Sequence, residues 1–185
     1  MGLDMYLSKR TYVKNWSFQK DEEKFNIAVK KGNDTFEKIK PERISYITEE
    51  IMYWRKANQI HGWFTKNCEP IREDIEYLVT TTDLEVLLEA CKKVLEIIET
   101  APTKVIQVES GWDKNGTTYA DVKVYDSDLI EDVVKEILPP TEGFFFGGYE
   151  IGEYYKETIE DTINMIEEEL SDVGEFEEYR YYASW

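Results

Sequence analysis

The chain is poor in the residues that form disulfides and bind metals. Its 185 residues include two cysteines, Cys68 and Cys91, and one histidine, His61. Two cysteines are too few for the disulfide framework of a small secreted protein, and with one histidine they do not make a four-ligand zinc site. We therefore expect a protein of a reducing compartment that carries no metal and no cofactor.

Long apolar runs are also missing. No stretch approaches the roughly 20 apolar residues of a membrane-spanning helix. The first residues, MGLDMYLSKRTYV, lack the continuous apolar region of a signal peptide. We expect a cytosolic protein with no membrane partner.

Positive charge is scarce. Lysine and arginine number 22 against 39 aspartates and glutamates, a net charge of −17. This charge opposes binding to nucleic-acid backbones and anionic membranes, so we expect no direct nucleic-acid partner. It suits a basic protein partner, although solubility alone also accounts for it.

The familiar catalytic motifs are missing too. The sequence contains no nucleophile elbow, no HExxH and no CxxC, and its DKNG segment lacks the further ligands of a calcium loop. We expect a protein that is not an enzyme. A nucleotide-modifying enzyme with His61 as general base is the least favoured alternative.

What is present predicts one domain, because no repeat, linker or composition break divides residues 1–185. Alternating segments predict strands at LDMYLSKRTYV, at 73–80, in a hairpin over 104–125 and in the tail EFEEYRYYASW. Helical periodicity predicts helices from about Ser45 to Asn67, over TDLEVLLEACKKVLEIIET, over SDLIEDVVKEILPP and from about Glu153 to Leu170, with a short exposed helix within 20–34. We expect an α+β fold in which a small antiparallel sheet packs with about four helices.

The predicted second helix has a clear start and a clear apolar side. Thr82 and Glu85, three residues apart, predict a capping box, and Ser127 or Asp128 is the predicted cap of the third helix. Apolar residues at helical spacing predict a single buried stripe: Leu84, Leu87, Leu88, Cys91, Val94, Leu95 and Ile98. Cys91 therefore has a packing role without any chemistry.

The segment YWRKANQIHGWF, residues 53–64, contains the chain's only histidine and two tryptophans. On a helix, one set of residues shares a side and predicts a core seam: Tyr53, Ala57, Ile60 and Phe64. A second row beside the seam comprises Trp54, Asn58, His61 and Thr65. Arg55 is expected near this row, with Lys56 and Trp63 on the opposite side.

The second row has the chemistry of a ligand site. Trp54 offers a ring for stacking, Asn58 an amide, His61 an imidazole, and Arg55 a fork for an anion. These groups suit a planar or phosphorylated ligand. The alternative is that Trp54 and His61 are buried and that neighbouring groups satisfy their polar atoms.

The segment GFFFGGY offers a second candidate site. Its glycines permit close approach and unusual dihedral angles, so Phe144, Phe145, Phe146 and Tyr149 are candidate residues of a loop that closes over a pocket. The helix that begins near Gly152 attracts anions, but Glu150 and Glu153 oppose this unless Arg55 or Lys56 compensates. The alternative is a plug in which one phenylalanine is buried and the others cover the sheet edge.

Three segments occur in a fixed order along the chain: GLDMYLSKRTYV, YWRKANQIHGWF and LPPTEGFFFGGYEIGEYYKETIEDT. Together they resemble an uncharacterised family encoded by bacteriophages and prophages. That family shows a GLDMYL opening, a YWRKAN-x-IH-x-WF helix and an LP…GFFFG…YY…T segment in the same order. Because small phage accessory proteins mostly act on host machinery, the resemblance implies an anti-defence protein in the host cytoplasm.

Two main hypotheses follow. The first is sequestration of a small nucleotide-like ligand in an aromatic pocket of Trp54, Asn58, His61 and the loop 144–146, with Arg55 and Tyr149 beside it. The second is an acidic inhibitor that blocks a basic, nucleic-acid-handling host defence protein, with carboxylates concentrated on one face formed by the helix 153–170 and the tail. Aromatic residues of the tail, Tyr181, Tyr182 and Trp185, are candidates for a homo-oligomer contact.

Overall fold

A computed structural model describes residues 2–72, 75–114, 116–125, 128–172, 174 and 177–185. It contains strands, helices and two short 3₁₀ turns. The strands are β1 (Asp4–Tyr12), β2 (Lys30–Lys31), β3 (Asp34–Thr35), β4 (Tyr46–Arg55), β5 (Glu69–Arg72), β6 (Glu76–Val79), β7 (Thr103–Asp113), β8 (Gly116–Tyr125) and β9 (Glu177–Ser184). The helices are α1 (Asn58–Asn67), α2 (Thr81–Glu99), α3 (Asp128–Ile137) and α4 (Glu153–Ser171).

The main sheet has five antiparallel strands in the order β4-β1-β9-β6-β5. The two ends of the described chain meet at its centre, because β1 pairs with β9, with Asp4 opposite Ser184. On its other side β1 pairs with β4 from Asp4–Arg55 at one end of the ladder to Tyr12–Tyr46 at the other. The expected α+β fold with antiparallel pairing is confirmed.

The core lies on one face of this sheet. Successive strand residues point to opposite faces, and the buried set of β1 and β9 is Met5, Leu7, Tyr179, Tyr181 and Ala183. Apolar residues of all four helices join these side chains in a single cluster. The other face, which we call the open face, carries half-exposed tyrosines and ion pairs, and the structure describes no helix on it.

Helix α2 is the best-predicted element. Six residues of the expected stripe are buried and Leu95 is half-buried against the core. The capping box lies two residues earlier than expected, since Thr80 accepts the N–H of Asp83 and Asp83 accepts the N–H of Thr80. Burial raises the pKa of the Cys91 thiol to about 12, as fits a packing role.

Most of the later predictions are also confirmed. The hairpin of β7 and β8, helix α4 and strand β9 lie where expected, and β6 occupies part of 73–80. Some predicted details fall outside the described residues: Glu73, Asp74, Asn115 of the DKNG turn, Ser127, the side chain of Asp128, Glu175 and Phe176.

The predicted helix from Ser45 to Asn67 is wrong over its first half. Residues Tyr46–Arg55 form β4, and the helix begins at Asn58. The chain changes direction at Lys56, whose φ of 58° lies in the left-handed region. The helical wheel therefore fails across this junction: Tyr53 is 43% exposed and Trp63, expected opposite the seam, is buried at 7%.

The predicted helix within 20–34 is also wrong. Asp21–Glu23 forms one 3₁₀ turn, and β2 pairs with β3 in a two-residue hairpin around Gly32, whose φ is 64°. Residues 14–45 thus form a long arm between β1 and β4. Its lysines and glutamates lack the apolar stripe that holds a helix against a core.

Candidate functional site

Trp54 does not present an open ring. It lies at the end of β4 with 3% of its surface exposed, and its ring packs against Phe64 with centroids 6.1 Å apart. Its indole nitrogen Nε1 donates to Thr162 Oγ1 of α4 at 2.9 Å. Trp54 is therefore a satisfied core residue that ties the sheet to α4.

His61 is likewise enclosed. Its Nδ1 shares a hydrogen bond of 2.7 Å with the hydroxyl of Tyr181, whose pKa burial raises well above the usual value. The rings of Phe146 and Trp185 lie edge-on to the imidazole, with centroids 5.0 and 5.6 Å away. The phenol of Tyr181 stays protonated and aromatic rings cover the imidazole, so this pair lies within the aromatic core.

Asn58 is the residue of this row that organises its surroundings. Its amide nitrogen donates to the carbonyl oxygens of Phe146 at 3.3 Å and Gly148 at 2.8 Å. Its Oδ1 accepts the backbone N–H of Thr141 at 3.0 Å. One side chain at the first residue of α1 thus fixes both ends of the segment 141–148.

The GFFFG loop covers His61 with the side chain of Phe146. Phe146 is buried at 6%, whereas Phe144 is 79% exposed and Phe145 is 40% exposed. Phe146 therefore packs directly against His61, where the sequence predicted a ligand. The alternative in which one phenylalanine plugs the core fits Phe146, whereas Phe144 and Phe145 are exposed.

An open groove lies on the other side of Asn58, and we call it the Asn58 groove. Its volume is about 480 Å³. Three parts of the chain line it: Lys56, Asn58 and Gln59 at the start of α1; Asp121, Val122 and Lys123 of β8; and Gly147, Gly148, Glu150, Gly152 and 153–155. Of the eight predicted site residues, Asn58 alone is in this lining.

Two helices begin at the Asn58 groove. The residues before α1 and α4 are Ala57 and Gly152, and neither makes a side-chain capping hydrogen bond. The first backbone N–H groups of a helix have no partner within the helix, and they carry partial positive charge. The first residues of both helices line the groove, and the start of a helix attracts an anionic group.

The charged side chains of the groove nearly balance. Lys123 pairs with Glu153, Nζ to Oε1 at 3.3 Å. Lys56, Glu150 and Asp121 also line the groove, and Gln107 donates to the Asp121 carboxylate at 3.2 Å. Of the two cations expected to offset the negative charge of Glu150 and Glu153, Lys56 lies in the lining of the groove. Arg55 is exposed and lies outside it.

Tyr154 supplies the aromatic wall that the predicted residues do not. Its hydroxyl donates to the carbonyl oxygen of Arg55, and burial raises its pKa, so it remains a neutral donor. Tyr149, the last predicted residue, is 46% exposed and outside the lining. Tyr154 lies five residues after the end of GFFFGGY, and this closeness to the predicted loop is the feature of the sequence that could have identified it.

Unusual backbone angles concentrate at this groove. In the described ranges two non-glycine residues have positive φ, Lys56 at 58° and Phe145 at 71°, and Gly147 has φ 100°. A Cβ on Gly147 would lie 3.1 Å from that of Lys56, so the loop and the strand–helix junction are in close contact. Left-handed backbone costs a non-glycine residue about 1–3 kcal/mol and clusters at functional sites.

Within the residues described, no group of three or more histidine, cysteine, aspartate or glutamate side chains is arranged to hold a metal ion. None of the described helices is long and apolar enough to cross a membrane. Comparison with protein-family models, with curated proteins and with solved structures gives no significant match.

Proposed function

We propose that this protein is a binding protein that sequesters a small nucleotide-like, phosphate-bearing ligand in the Asn58 groove. In the context that the phage resemblance implies, sequestration removes a host defence signal. The observation that carries the proposal is the convergence of two uncapped helix starts, α1 and α4, on one groove of about 480 Å³.

The size and lining of the groove support such a ligand. Small-molecule sites usually measure about 300–1,000 Å³ and place a few polar groups on a largely apolar wall. Here the helix starts and Lys56 suit a phosphate, the ring of Tyr154 suits a base, and Glu150 and Asp121 accept from sugar hydroxyls or amino groups. The proposal includes no catalytic step, because His61 is enclosed by aromatic rings outside the groove.

Thermal unfolding with a panel of linear and cyclic nucleotides tests the proposal. A ligand at a hundred times its Kd adds about 2.7 kcal/mol to stability, which raises the Tm of a domain of this size by about 5–10 °C. Lys56→Met removes the cation and keeps the stem, so the rise should shrink strongly. Lys93→Met, on the exposed surface of α2, is the matched control.

Mass spectrometry of small molecules released from protein that was incubated with infected-cell extract identifies the natural ligand. Recovery of a phosphorylated small molecule from wild type and from Lys93→Met, but not from Lys56→Met, supports the proposal. Equal recovery from all three proteins, or no Tm rise with any nucleotide, contradicts it.

A second candidate function, the acidic inhibitor of a basic host protein, is favoured by the charge distribution. Helices α2, α3 and α4 together carry sixteen carboxylates and four lysines, a net charge of −12 out of −17. They pack side by side, with α2 against both others. We call their solvent-exposed surface the helical face. Its negative charge would attract a protein with a complementary basic surface.

A charge-matched pair of variants tests this candidate. Glu157→Gln, Asp161→Asn and Glu168→Gln together remove three exposed charges from α4; Glu37→Gln, Glu42→Gln and Glu49→Gln remove three exposed charges elsewhere. With a polylysine peptide as probe at low salt, the first triple should weaken binding more than the second, and 0.5 M salt should abolish binding. Equal weakening by both triples would show that only total charge matters.

A further inference from the structure

A second cavity of about 720 Å³, which we call the Trp16 cleft, lies in the arm that follows β1. Four aromatic and three polar side chains line it: Tyr12, Trp16, Phe18, Phe25, Lys14, Gln19 and Glu23. Tyr12 marks one end of the β1–β4 ladder, whereas the Asn58 groove lies beyond Arg55 at the other. Eight residues at about 3.3 Å each separate these ends by about 26 Å, so no single small ligand fills both sites.

The cleft exposes aromatic rings that a purely structural loop would bury. Trp16 is 45% exposed, Phe18 81% and Phe25 47%. Each large ring that stays in water forgoes the free energy of burying its apolar surface. Grouped exposed rings around a cavity are therefore a mark of a binding site.

The backbone of the arm holds these rings in place. The Asn15 amide donates to the carbonyl of Phe25 at 2.7 Å and accepts the N–H of Phe25 at 2.8 Å, which closes residues 15–25 into a loop. The Gln19 side-chain oxygen accepts the N–H of Trp16 at 2.6 Å, and the N–H of Gln19 donates to the Trp16 carbonyl at 3.2 Å. A loop ordered in this way loses little entropy when a ligand binds.

The rings and charges of the cleft define the ligand. The rings of Trp16 and Phe18 are within 15° of parallel, with centroids 6.3 Å apart. The Lys14 ammonium lies 5.1 Å from the centroid of the Trp16 ring. Glu23 also lines the cleft, and its carboxylate accepts the backbone N–H of Lys20 at 3.1 Å.

The arm as a whole is basic, unlike the rest of the molecule. Residues 14–45 contain eight lysines and arginines and six carboxylates, in a chain whose net charge is −17. The excess of cations lies in residues 26–45, whereas residues 14–25 around the Trp16 cleft hold three lysines and three carboxylates. The cleft therefore lacks the strong negative charge of the helices.

We propose that the Trp16 cleft is a second binding site that takes a planar heteroaromatic ring bearing a negatively charged group, as in a nucleoside phosphate. The ring stacks on Trp16 and Phe18, the anionic group pairs with Lys14, and the Gln19 carboxamide meets the ring edge. The site is independent of the Asn58 groove and of the function proposed for it.

Isothermal titration calorimetry with three probes tests this site: adenosine 5′-monophosphate, adenosine and ribose 5-phosphate. Removal of one stacking ring weakens base binding by roughly ten- to a hundredfold. Trp16→Ala and Phe18→Ala should therefore each lower the affinity for the monophosphate by that factor. Lys14→Met should bring the affinity of the monophosphate close to that of adenosine. Trp112→Ala, a 79% exposed ring on β7, is the matched control and should change nothing.

The outcomes separate this site from the Asn58 groove. Loss of one set of monophosphate sites in Trp16→Ala and Phe18→Ala, with that set kept in Trp112→Ala and Lys56→Met, supports the cleft. Loss of monophosphate binding in Lys56→Met, with binding unchanged in Trp16→Ala, assigns the nucleotide to the Asn58 groove and overturns the proposal for the cleft. No binding by the wild-type protein at millimolar monophosphate, or ribose 5-phosphate bound as well as the monophosphate, also overturns it.

Discussion

The three helices of the helical face and the strands of the main sheet differ in how much negative charge they carry. The three helices of the helical face have a net charge of −12, whereas the five strands of the main sheet together have seven carboxylates and five cations, a net charge of −2. On the open face, Tyr6 packs against Tyr53 and Tyr182 with centroids 5.2 and 6.1 Å apart, and Arg10 lies over the ring of Tyr46.

This difference changes what the total charge means. A net charge of −17 argues against anionic partners only where the carboxylates are, because salt screens charges beyond about 8–10 Å in physiological solution. The helical face repels anions and attracts basic proteins. The open face and the basic arm beside it do not share that repulsion.

Substitutions of Tyr181 and Tyr182 should show the largest difference in stability between the two faces of the sheet. These residues are neighbours on β9 whose side chains point to opposite faces. Tyr181 is fully buried beneath the helices, stacked on Phe64 at 4.2 Å, and Tyr182 is 40% exposed on the open face. Tyr181→Ala should cost about 3–5 kcal/mol of unfolding free energy, and Tyr182→Ala under about 1 kcal/mol. Urea denaturation followed by linear extrapolation measures both.

Tyr181→Phe refines this test, because it keeps the ring and removes the hydrogen bond to His61 Nδ1. We expect a loss of about 1–2 kcal/mol, since a buried nitrogen is left without that partner. Similar losses for Tyr181→Ala and Tyr182→Ala would mean that the open face is covered after all.

The sequence predicted those elements whose pattern is local. In α2 the apolar stripe repeats at helical spacing over about four turns. The β7–β8 hairpin alternates on both sides of its turn, so each of these two patterns fits one kind of secondary structure. Tyr46–Arg55 differs, because its residues also fit a helical wheel. The strand is selected by pairing with β1, more than thirty residues earlier, and local periodicity does not contain that information.

The candidate site was predictable only in part for the same reason. The sequence correctly brought the GFFFG loop to His61 and gave Asn58 a polar role there. It misplaced the open space, because Phe146 fills the position expected for a ligand. Lys123 enters the Asn58 groove from a hairpin far along the chain, and the Trp16 cleft lies in an arm where no motif indicated a site.

Lys9 connects the main sheet to helix α4, and its replacement should have an effect of intermediate size on stability. It reaches from β1 to Glu169 of α4, Nζ to Oε2 at 3.0 Å, and its hydrogen bond to that carboxylate raises the pKa of Lys9 above 10.5. A raised lysine pKa adds stability that is complete below the unfolded-state value and is lost as pH rises through the folded-state value. Lys9→Met should therefore cost about 0.5–1 kcal/mol, unchanged between pH 6 and 9.

Lys92→Met is the control for this pair. Lys92 contacts Glu167 at 2.8 Å on the exposed surface of the helices, where both side chains are about half exposed. Solvent screens that pair, so we expect no measurable change in urea denaturation. A clear loss in Lys92→Met, or a loss in Lys9→Met that varies between pH 6 and 9, would contradict this account of the layers.

The smallest effect should differ in sign between the faces. On α4, Glu157 has Glu153, Glu160 and Asp161 at the spacings that bring helix side chains together, so Glu157→Gln should stabilise the fold by about 0.2–0.5 kcal/mol at low salt. On the open face, Glu178 accepts from Arg10 at 3.3 Å and from Arg180, so Glu178→Gln should destabilise it by up to about 1 kcal/mol. Urea denaturation at 10 mM and 1 M salt measures both, and both effects should fall as salt rises. The same sign for the two variants at low salt would mean that the carboxylates of the two faces do not differ in their surroundings, which would remove the electrostatic basis for assigning basic partners to the helical face.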